Sequence, residues 1–153
     1  MDAATRETVS EQETLRQLID RETISDLIHR LGTVLDERRF EDLALVFAED
    51  GAITTPGGHA EGLDAIVAQA ARNHTPELHT QHFATDLVVD VDGDRARARA
   101  NYVAVFAVGS GDPAPAPQFQ IGSVYRFDLV RTGDGWRLHS MEVLPTWAAG
   151  ERP

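Results

Sequence analysis

The chain has 153 residues, of which 42% are hydrophobic and 25% are charged, and this is enough for one compact domain with a hydrophobic core. Its formal net charge of −11 argues against nucleic acid or an anionic membrane as a main partner, because both bind cationic surfaces. Cysteine is absent, which excludes disulfides, thiolate nucleophiles and zinc–thiolate sites. Without a recognisable signal peptide or membrane-spanning stretch, we expect a cytoplasmic protein.

Three helices are predicted in the first half of the chain, after a disordered tail over residues 1–9. From Ser10 to Leu35, apolar residues recur every three or four positions, which predicts one long amphipathic helix. The segments "FEDLALVFAEDG" and "GLDAIVAQAARNH" show the same period and predict two shorter helices, the first of which ends near Gly51. A short strand and a turn, "AITTPGGHAEG", separate them. The apolar stripe of the long helix includes Leu15, Leu18 and Ile19.

Four long strands are predicted in the second half, which is rich in β-branched and aromatic residues. Asp-Gly turns join the first two strands and the last two as hairpins, and a Pro/Gly-rich loop joins the middle pair. Helices followed by antiparallel strands indicate an α+β fold, with a curved sheet wrapped around the helices. We expect a single domain over residues 10–148 and a C-terminal tail over 149–153. The strands cover residues 78–91, 94–108, 118–131 and 136–147.

Alternation along the strands assigns side chains to the two faces of the sheet. In "RARARANYVAVFAV" the arginines face water, so Tyr102 and Phe106 face inward and the intervening valines face outward. In "QIGSVYRFDLV", Ser123 and Tyr125 share the inward face. The apolar outer patch predicts a homodimer that packs through the sheet.

Few polar side chains fall on otherwise apolar surfaces, and these are the candidates for chemistry. Asp36 ends the apolar stripe of the first helix, and His82 lies near the start of the first long strand. A carboxylate beside an imidazole in an apolar pocket favours one ring tautomer and the protonated ring, which makes a general acid–base pair. Serine and tyrosine hydroxyls can hydrogen bond to a carbonyl or enolate oxygen. The structural alternatives are a helix-closing aspartate and a hydrogen-bonded core histidine.

The histidine pair in "LHTQHF" does not predict a metal site. His79 and His82 are three residues apart on a strand and so point to opposite faces. The sequence also lacks the Gly-x-Ser-x-Gly elbow of serine hydrolases and a Gly-rich phosphate loop with its lysine. We therefore expect no metal site, no serine-hydrolase nucleophile and no phosphate-binding loop.

The order of the elements, with "FAEDG", "VDGDRARARA" and "GDGWRL", resembles the SnoaL-like branch of the nuclear transport factor 2-like superfamily over about residues 12–148. The resemblance implies a conical α+β barrel, whose curved sheet and long helix enclose a deep apolar pocket. It also implies a dimer packed through the sheet. The branch contains dehydratases, cyclases and isomerases that usually need no metal or organic cofactor.

Within this superfamily the chain is most similar to the scytalone dehydratase-like branch. "TQHF" resembles the catalytic-histidine motif of that branch, which implies a catalytic His82. The aspartate at the end of its first helix corresponds to Asp36, and a substrate-contacting serine corresponds to Ser123. Two features of the branch are missing. The second catalytic histidine falls in "NYVAVFA", where alanine or phenylalanine faces inward, and the tyrosine beside the aspartate is Leu35.

The sequence thus predicts a cofactor-independent lyase or isomerase, of dehydratase or cyclase type, acting on a small hydrophobic, oxygenated, cyclic metabolite. His82 is the predicted general acid–base, and Asp36 orients its ring. One alternative is a non-catalytic ligand-binding or dimerising accessory protein of the same fold, which the missing histidine and tyrosine favour. Another, epoxide opening by an epoxide hydrolase or cyclase, needs one more inward carboxylate. Substrate contacts are expected from Ser123, Tyr125, Tyr102, Phe106 and Trp147.

Overall fold

The computed structural model describes the backbone of residues 3–153 and the side chains from Ser10 onward. The predicted α+β class is confirmed: a long N-terminal helix, two short helices and one curved sheet. In chain order the elements are α1 (Ala3–Asp36), a 3₁₀ helix (Phe40–Leu45), β1 (Phe47–Thr55), β2 (Gly58–Glu61), α2 (Leu63–Asn73), β3 (Leu78–Asp92), β4 (Arg95–Val108), β5 (Pro117–Thr132) and β6 (Gly135–Gly150).

Both ends of the chain differ from the predicted boundaries. Helix α1 begins at Ala3, inside the predicted tail of residues 1–9, whose side chains lie outside the described residues. Strand β6 continues to Gly150, two residues past the predicted domain end at 148. The division into one domain and two tails stays a prediction.

The six strands form one open, mixed sheet in the order β2-β1-β6-β5-β4-β3. Strands β1 and β6 are parallel, and the other four pairings are antiparallel. The two predicted Asp-Gly hairpins are present, and their turns place Gly93 and Gly135 at φ angles of 59° and 99°. Such positive angles favour glycine, which has no Cβ.

The segment from Phe40 to Gly51 is not the single helix that its apolar spacing predicted. Its first half is the 3₁₀ helix, and from Phe47 the chain enters β1 and pairs with β6. Val46 and Phe47 are buried as expected. A short apolar run fits a helix or a strand equally well, and here the pairing with β6 decides the outcome.

The hydrophobic core lies between the C-terminal half of α1 and the concave face of the sheet. The helix buries Ile24, Ile28 and Leu31 there, all at most 2% exposed. The apolar side chains in the first turns of the predicted stripe are exposed, because no described element covers them. Three of them are 56–58% exposed: Leu15, Leu18 and Ile19.

The predicted alternation on β4 and β5 is confirmed. On β4, Ala98, Ala100 and Tyr102 are buried while Arg97 is exposed to water. On β5, Ser123 is buried and the residues at 126 and 128 are exposed. The inward face of these strands therefore supplies the wall of the core and of the site.

A charged network fixes α1 against the far end of the sheet. Asp20, which is 6% exposed, accepts hydrogen bonds of 2.9 and 2.7 Å from the Arg131 guanidinium and one of 3.0 Å from Trp136 Nε1. The guanidinium also lies 4.4 Å from the centre of the indole ring. The Arg131 hydrogen bonds outweigh the effect of burial and lower the pKa of Asp20.

Among the described residues, no helix is apolar enough over a sufficient length to cross a membrane.

Candidate active site

Asp36 and His82 meet at the junction of α1 and β3. The last residue of α1 places its Oδ1 2.6 Å from Nδ1 of His82, although 46 positions separate the two in sequence. The His82 side chain is only 5% exposed and that of Asp36 is 22% exposed. Since Nδ1 donates its proton to the carboxylate, Nε2 is the ring nitrogen that is left for a ligand.

Two further hydrogen bonds hold the Asp36 carboxylate in place. Thr80 Oγ1 donates to Oδ1 at 2.9 Å, and the backbone N–H of His82 donates to Oδ2 at 2.9 Å. Burial alone would raise the pKa of Asp36, but the hydrogen bonds and the charge of His82, with the Thr80 hydroxyl, lower it overall. Asp36 is therefore ionised at neutral pH, and its geometry is fixed from three sides.

A glycine allows the strand to approach the helix this closely. Gly32 lies one turn before Asp36 on α1, and a Cβ at this position would lie 3.2 Å from the Cβ of His82. Thr80 and Gly32 were both missed by the sequence interpretation. The signal for Thr80 was present, because it is two residues before His82 and therefore on the same face of β3. No comparable pattern marks Gly32.

His82 lies in the wall of a mostly apolar cavity of about 120 Å³ between α2, the 3₁₀ helix and the inward faces of β1, β4, β5 and β6. An engineered apolar cavity of about 150 Å³ binds benzene, so this volume suits one small ring. The polar side chains in its wall are those of Thr55, Gln69, Asn73, His74, His82, Ser123, Tyr125 and Arg152.

Three of the predicted substrate-contacting residues lie in the cavity wall: Ser123, Tyr125 and Phe106. Neither the Ser123 nor the Tyr125 hydroxyl donates to another described residue, so both are available to a ligand. Burial, and then the negative charge of Asp36, raise the pKa of Tyr125, which keeps its hydroxyl protonated as a donor. Phe106 packs against Phe119 with ring centres 5.6 Å apart.

Tyr102 does not reach the cavity, contrary to the prediction. It is 2% exposed, and its hydroxyl donates to the Ile28 carbonyl of α1 at 2.8 Å. Its ring stacks on Tyr125 at 4.0 Å and meets His82 edge-on at 6.4 Å. Tyr102 therefore packs against the rings that line the cavity and is not itself part of the cavity wall.

Trp147 lies on the opposite face of the sheet, which also corrects the prediction. Its indole covers Gly122 on the outer face and is 48% exposed. The reason is a bulge in β6: Pro145 pairs with Ser123, but Trp147 pairs with Gly122, so Thr146 is an extra residue. The extra residue reverses the alternation, so Trp147 faces outward and does not line the cavity.

The cavity contains a second imidazole that the sequence interpretation missed. His74 follows the last residue of α2, and its ring centre is 6.2 Å from that of His82. Nδ1 of His74 donates to the Ala70 carbonyl at 2.9 Å, so Nε2 carries the lone pair in the neutral ring. Burial, as the main cause, lowers the pKa of His74. The signal was its helical spacing, since residue 74 is four positions after the buried Ala70.

No metal site is apparent in the part of the chain that the structure describes: no three histidine, aspartate or glutamate side chains come together there. His79, as the alternation indicated, points away from His82, and its Nε2 hydrogen bonds to the Gly109 carbonyl at 2.8 Å. The Nδ1 atom of His82 is already used by Asp36. The expectation of a site without cofactor stays a prediction.

Comparison with known proteins identifies the family. A model described as a SnoaL-like domain matches residues 16–142. Among solved structures, an NTF2-like protein with a cystatin-like fold from Novosphingobium aromaticivorans has 30% identity and a TM-score of 0.74, covering 88% of this chain and 87% of that one. No curated protein matches the chain in sequence.

Two further solved structures share the fold at lower identity. A candidate scytalone dehydratase from Novosphingobium aromaticivorans has 20% identity and a TM-score of 0.77, covering 92% of this chain and 93% of that one. A hexachlorocyclohexane dehydrochlorinase, LinA type 2, has 19% identity and a TM-score of 0.77, covering 91% and 93%. At this identity the likeness concerns the fold alone. Because the family model spans most of the sequence, the chain belongs to the SnoaL-like domain family.

Proposed function

We propose that this protein is a cofactor-independent lyase or isomerase, of dehydratase or cyclase type, that acts on a small, apolar, oxygenated ring. The observation that carries the proposal is the 2.6 Å contact of Asp36 with Nδ1 of His82 in the wall of an apolar cavity. An ionised carboxylate holds the ring in one tautomer and stabilises the imidazolium. His82 Nε2 can then exchange a proton with a bound molecule.

In the proposed reaction, Nε2 of His82 accepts a proton from the carbon next to a carbonyl group. The hydroxyls of Ser123 and Tyr125 donate hydrogen bonds to the resulting enolate oxygen. The imidazolium then returns its proton to a departing hydroxyl, which leaves as water, or to another carbon, which moves the double bond. Both outcomes conserve the proton within the site, so neither needs an external oxidant or reductant.

His74 is a second imidazole in the cavity, whereas the position of the second catalytic histidine of scytalone dehydratases, on β4, has no histidine in this chain. It reaches the cavity from α2, with its ring centre 6.2 Å from that of His82. Burial lowers its pKa, so the ring is neutral near pH 7 and its Nε2 is a proton acceptor. In the proposed enzyme, His82 is the general acid–base, and His74 is a second, neutral imidazole in the cavity wall.

The similarity in fold supports elimination chemistry in a general way. The names of two structural neighbours, a dehydratase and a dehydrochlorinase, denote the loss of water and of hydrogen chloride. Epoxide opening has less support, because no aspartate or glutamate is among the described residues that line the cavity. A ligand-binding protein without turnover is the alternative that the following experiment distinguishes.

The test measures solvent deuterium exchange at the carbon next to the carbonyl of cyclohexanone, a ring of suitable size, by NMR in deuterium oxide. We expect the wild type to accelerate exchange, His82→Gln to reduce it to the uncatalysed rate, and Asp36→Asn to reduce it about 100-fold or more. The matched control is His79→Gln, at an exposed histidine of the same strand, which should exchange like the wild type.

The same measurement decides against catalysis if cyclohexanone binds, as seen by chemical-shift changes in the cavity, without faster exchange. That result would make the protein a ligand-binding member of the family. Equal exchange in the wild type and in His82→Gln would exclude the Asp36–His82 pair as the catalyst.

We also propose a homodimer through the outer face of the sheet. Phe83 of β3, Val103 of β4 and Trp147 of β6 lie in one row across that face, because Phe83 pairs with Val103 and both Val103 and Trp147 pair with Gly122. Phe83 and Trp147 are 49% and 48% exposed, so the row is an apolar surface that a second copy would cover.

We propose the cytoplasm as the location of the protein, as expected from the cysteine-free sequence.

A further inference from the structure

At one end of the cavity a buried amide has an unused acceptor. Gln69 of α2 is 2% exposed and lines the cavity. Its Nε2 donates to Thr55 Oγ1 and to the Gly58 carbonyl, both at 3.1 Å. Its Oε1 is buried and has no hydrogen-bond partner among the residues that the structure describes. A buried acceptor without a donor is energetically costly, so such atoms in folded proteins usually have a partner.

The orientation of this amide is determined by its neighbours. The Gly58 carbonyl can only accept hydrogen bonds, so the amide must turn its nitrogen toward it. The Thr55 hydroxyl is also occupied, because it donates to the same carbonyl and accepts from the Gly57 N–H. The group left free in the cavity wall is therefore the oxygen of Gln69, which requires a donor.

The location of Gln69 sets the distance from the proposed chemistry. His74, whose ring is next to that of His82, is five residues farther along the chain and directly follows α2, which corresponds to about 7.5 Å along the helix axis. No carboxylate is among the described residues of the cavity wall, and Arg152 is, so the wall favours a neutral donor over a cation.

We propose that Gln69 Oε1 is a recognition site for a hydroxyl group, and that the ligands of this cavity are hydroxylated rings that place this hydroxyl away from His82. The inference rests on the proposed function only in that the cavity takes a small organic molecule. Thr55 and Gly58 are positioning groups, because they hold the amide and do not contact the ligand.

The test compares phenol with toluene, which have the same shape and differ in one hydroxyl group. Dissociation constants are measured by NMR titration for the wild type, Gln69→Met and the control His79→Gln, at an exposed histidine outside the cavity wall. We expect the wild type to bind phenol about 3- to 10-fold more tightly than toluene, the value of one net hydrogen bond. Gln69→Met, which keeps the size of the side chain, should bring this ratio to about 1.

A second readout needs no variant at position 69, in case Gln69→Met fails to fold. The side-chain amide signals of Gln69 in the wild type should shift on addition of phenol and stay unchanged with toluene. His79→Gln should keep the phenol preference, because His79 is exposed and does not line the cavity.

The proposal is overturned if Gln69→Met keeps the phenol preference, or if phenol leaves the Gln69 amide signals of the wild type unmoved. Equal affinity for phenol and toluene in the wild type also overturns it, since Gln69 Oε1 would then be satisfied by water alone. Failure of the catalytic proposal looks different. In that case cyclohexanone exchange is absent, whereas the wild type keeps the phenol preference and Gln69→Met loses it.

Discussion

Gly32 controls the approach of His82 to α1, and a methyl group at this position would enter a space where the His82 Cβ is 3.2 Å away. Gly32→Ala should therefore push His82 by a few tenths of an ångström and disturb its alignment with the substrate. We expect cyclohexanone exchange to fall about 10-fold, because proximity effects are steep. The free energy of unfolding should change by less than about 1 kcal/mol, since alanine is the better helix former.

The control is Thr33→Ala, the neighbouring exposed position on the same helix. It changes helix propensity without approaching His82, so exchange should stay at the wild-type rate. Unfolding in urea gives the stability of both variants. Loss of exchange in Thr33→Ala as well, or none in Gly32→Ala, would show that the contact does not position His82.

His74 should make the stability of the protein depend on pH, and the direction of the effect follows because burial lowers the pKa of this histidine. Its folded pKa lies below the ordinary value of 6.5, so the unfolded chain binds the proton first as the pH falls. Stability is therefore lost on acidification from about pH 6.5 downward to the lowered pKa. His74→Gln should have a smaller loss of unfolding free energy between pH 7.5 and 5.5, measured in urea. His79→Gln is the control for removal of an imidazole and should keep the wild-type loss.

Among whole elements, α1 depends on the charged network at its middle. Asp20→Ala leaves the Arg131 guanidinium without its buried partner and removes the acceptor of Trp136. We expect a loss of about 2–4 kcal/mol in the free energy of unfolding, as for other broken pairs with little exposure. Asp94→Ala is the control, because Asp94 also pairs with Arg131 at 2.9 Å but its side chain is 76% exposed.

An exposed pair contributes about 0–1 kcal/mol, so the two substitutions should differ clearly in urea unfolding. Equal losses would mean that burial of Asp20 adds nothing and that α1 is held by its apolar face alone.

The elements also show how far sequence reasoning reached. Helix α2 and the four long strands were predicted correctly, because apolar residues recur along each of them with a regular helical or strand period. The segment at Phe47 was predicted wrongly, because its few apolar residues fit both the helical and the strand period. It forms a strand because it pairs with β6, about 90 positions later in the sequence.

Asp36 was paired with His82 from its place at the end of the apolar stripe and from the resemblance. The outward position of Trp147 was missed because the bulge at Thr146 has no mark in the sequence. Gln69 went unnoticed because burial of an amide depends on its neighbours.

At the scale of the whole molecule, the outer sheet face and the first turns of α1 are two exposed apolar surfaces. Phe83→Asp places a charge in the centre of the outer face and should convert the proposed dimer to a monomer in sedimentation velocity. Leu15→Asp places the same charge on α1, where the side chain is 58% exposed, and should leave the dimer intact. A monomeric wild type, or dissociation in Leu15→Asp alone, would contradict an interface through the sheet.

The bulge at Thr146 links two properties that are usually thought of separately. Without the bulge, Thr146 would pair with Gly122 and Trp147 with Ile121, which would turn the indole inward. With the bulge, Trp147 pairs with Gly122 and the indole lies on the outer face. The register at this point therefore sets both the room in the cavity and the apolar character of the outer face, because the ring can occupy only one of the two.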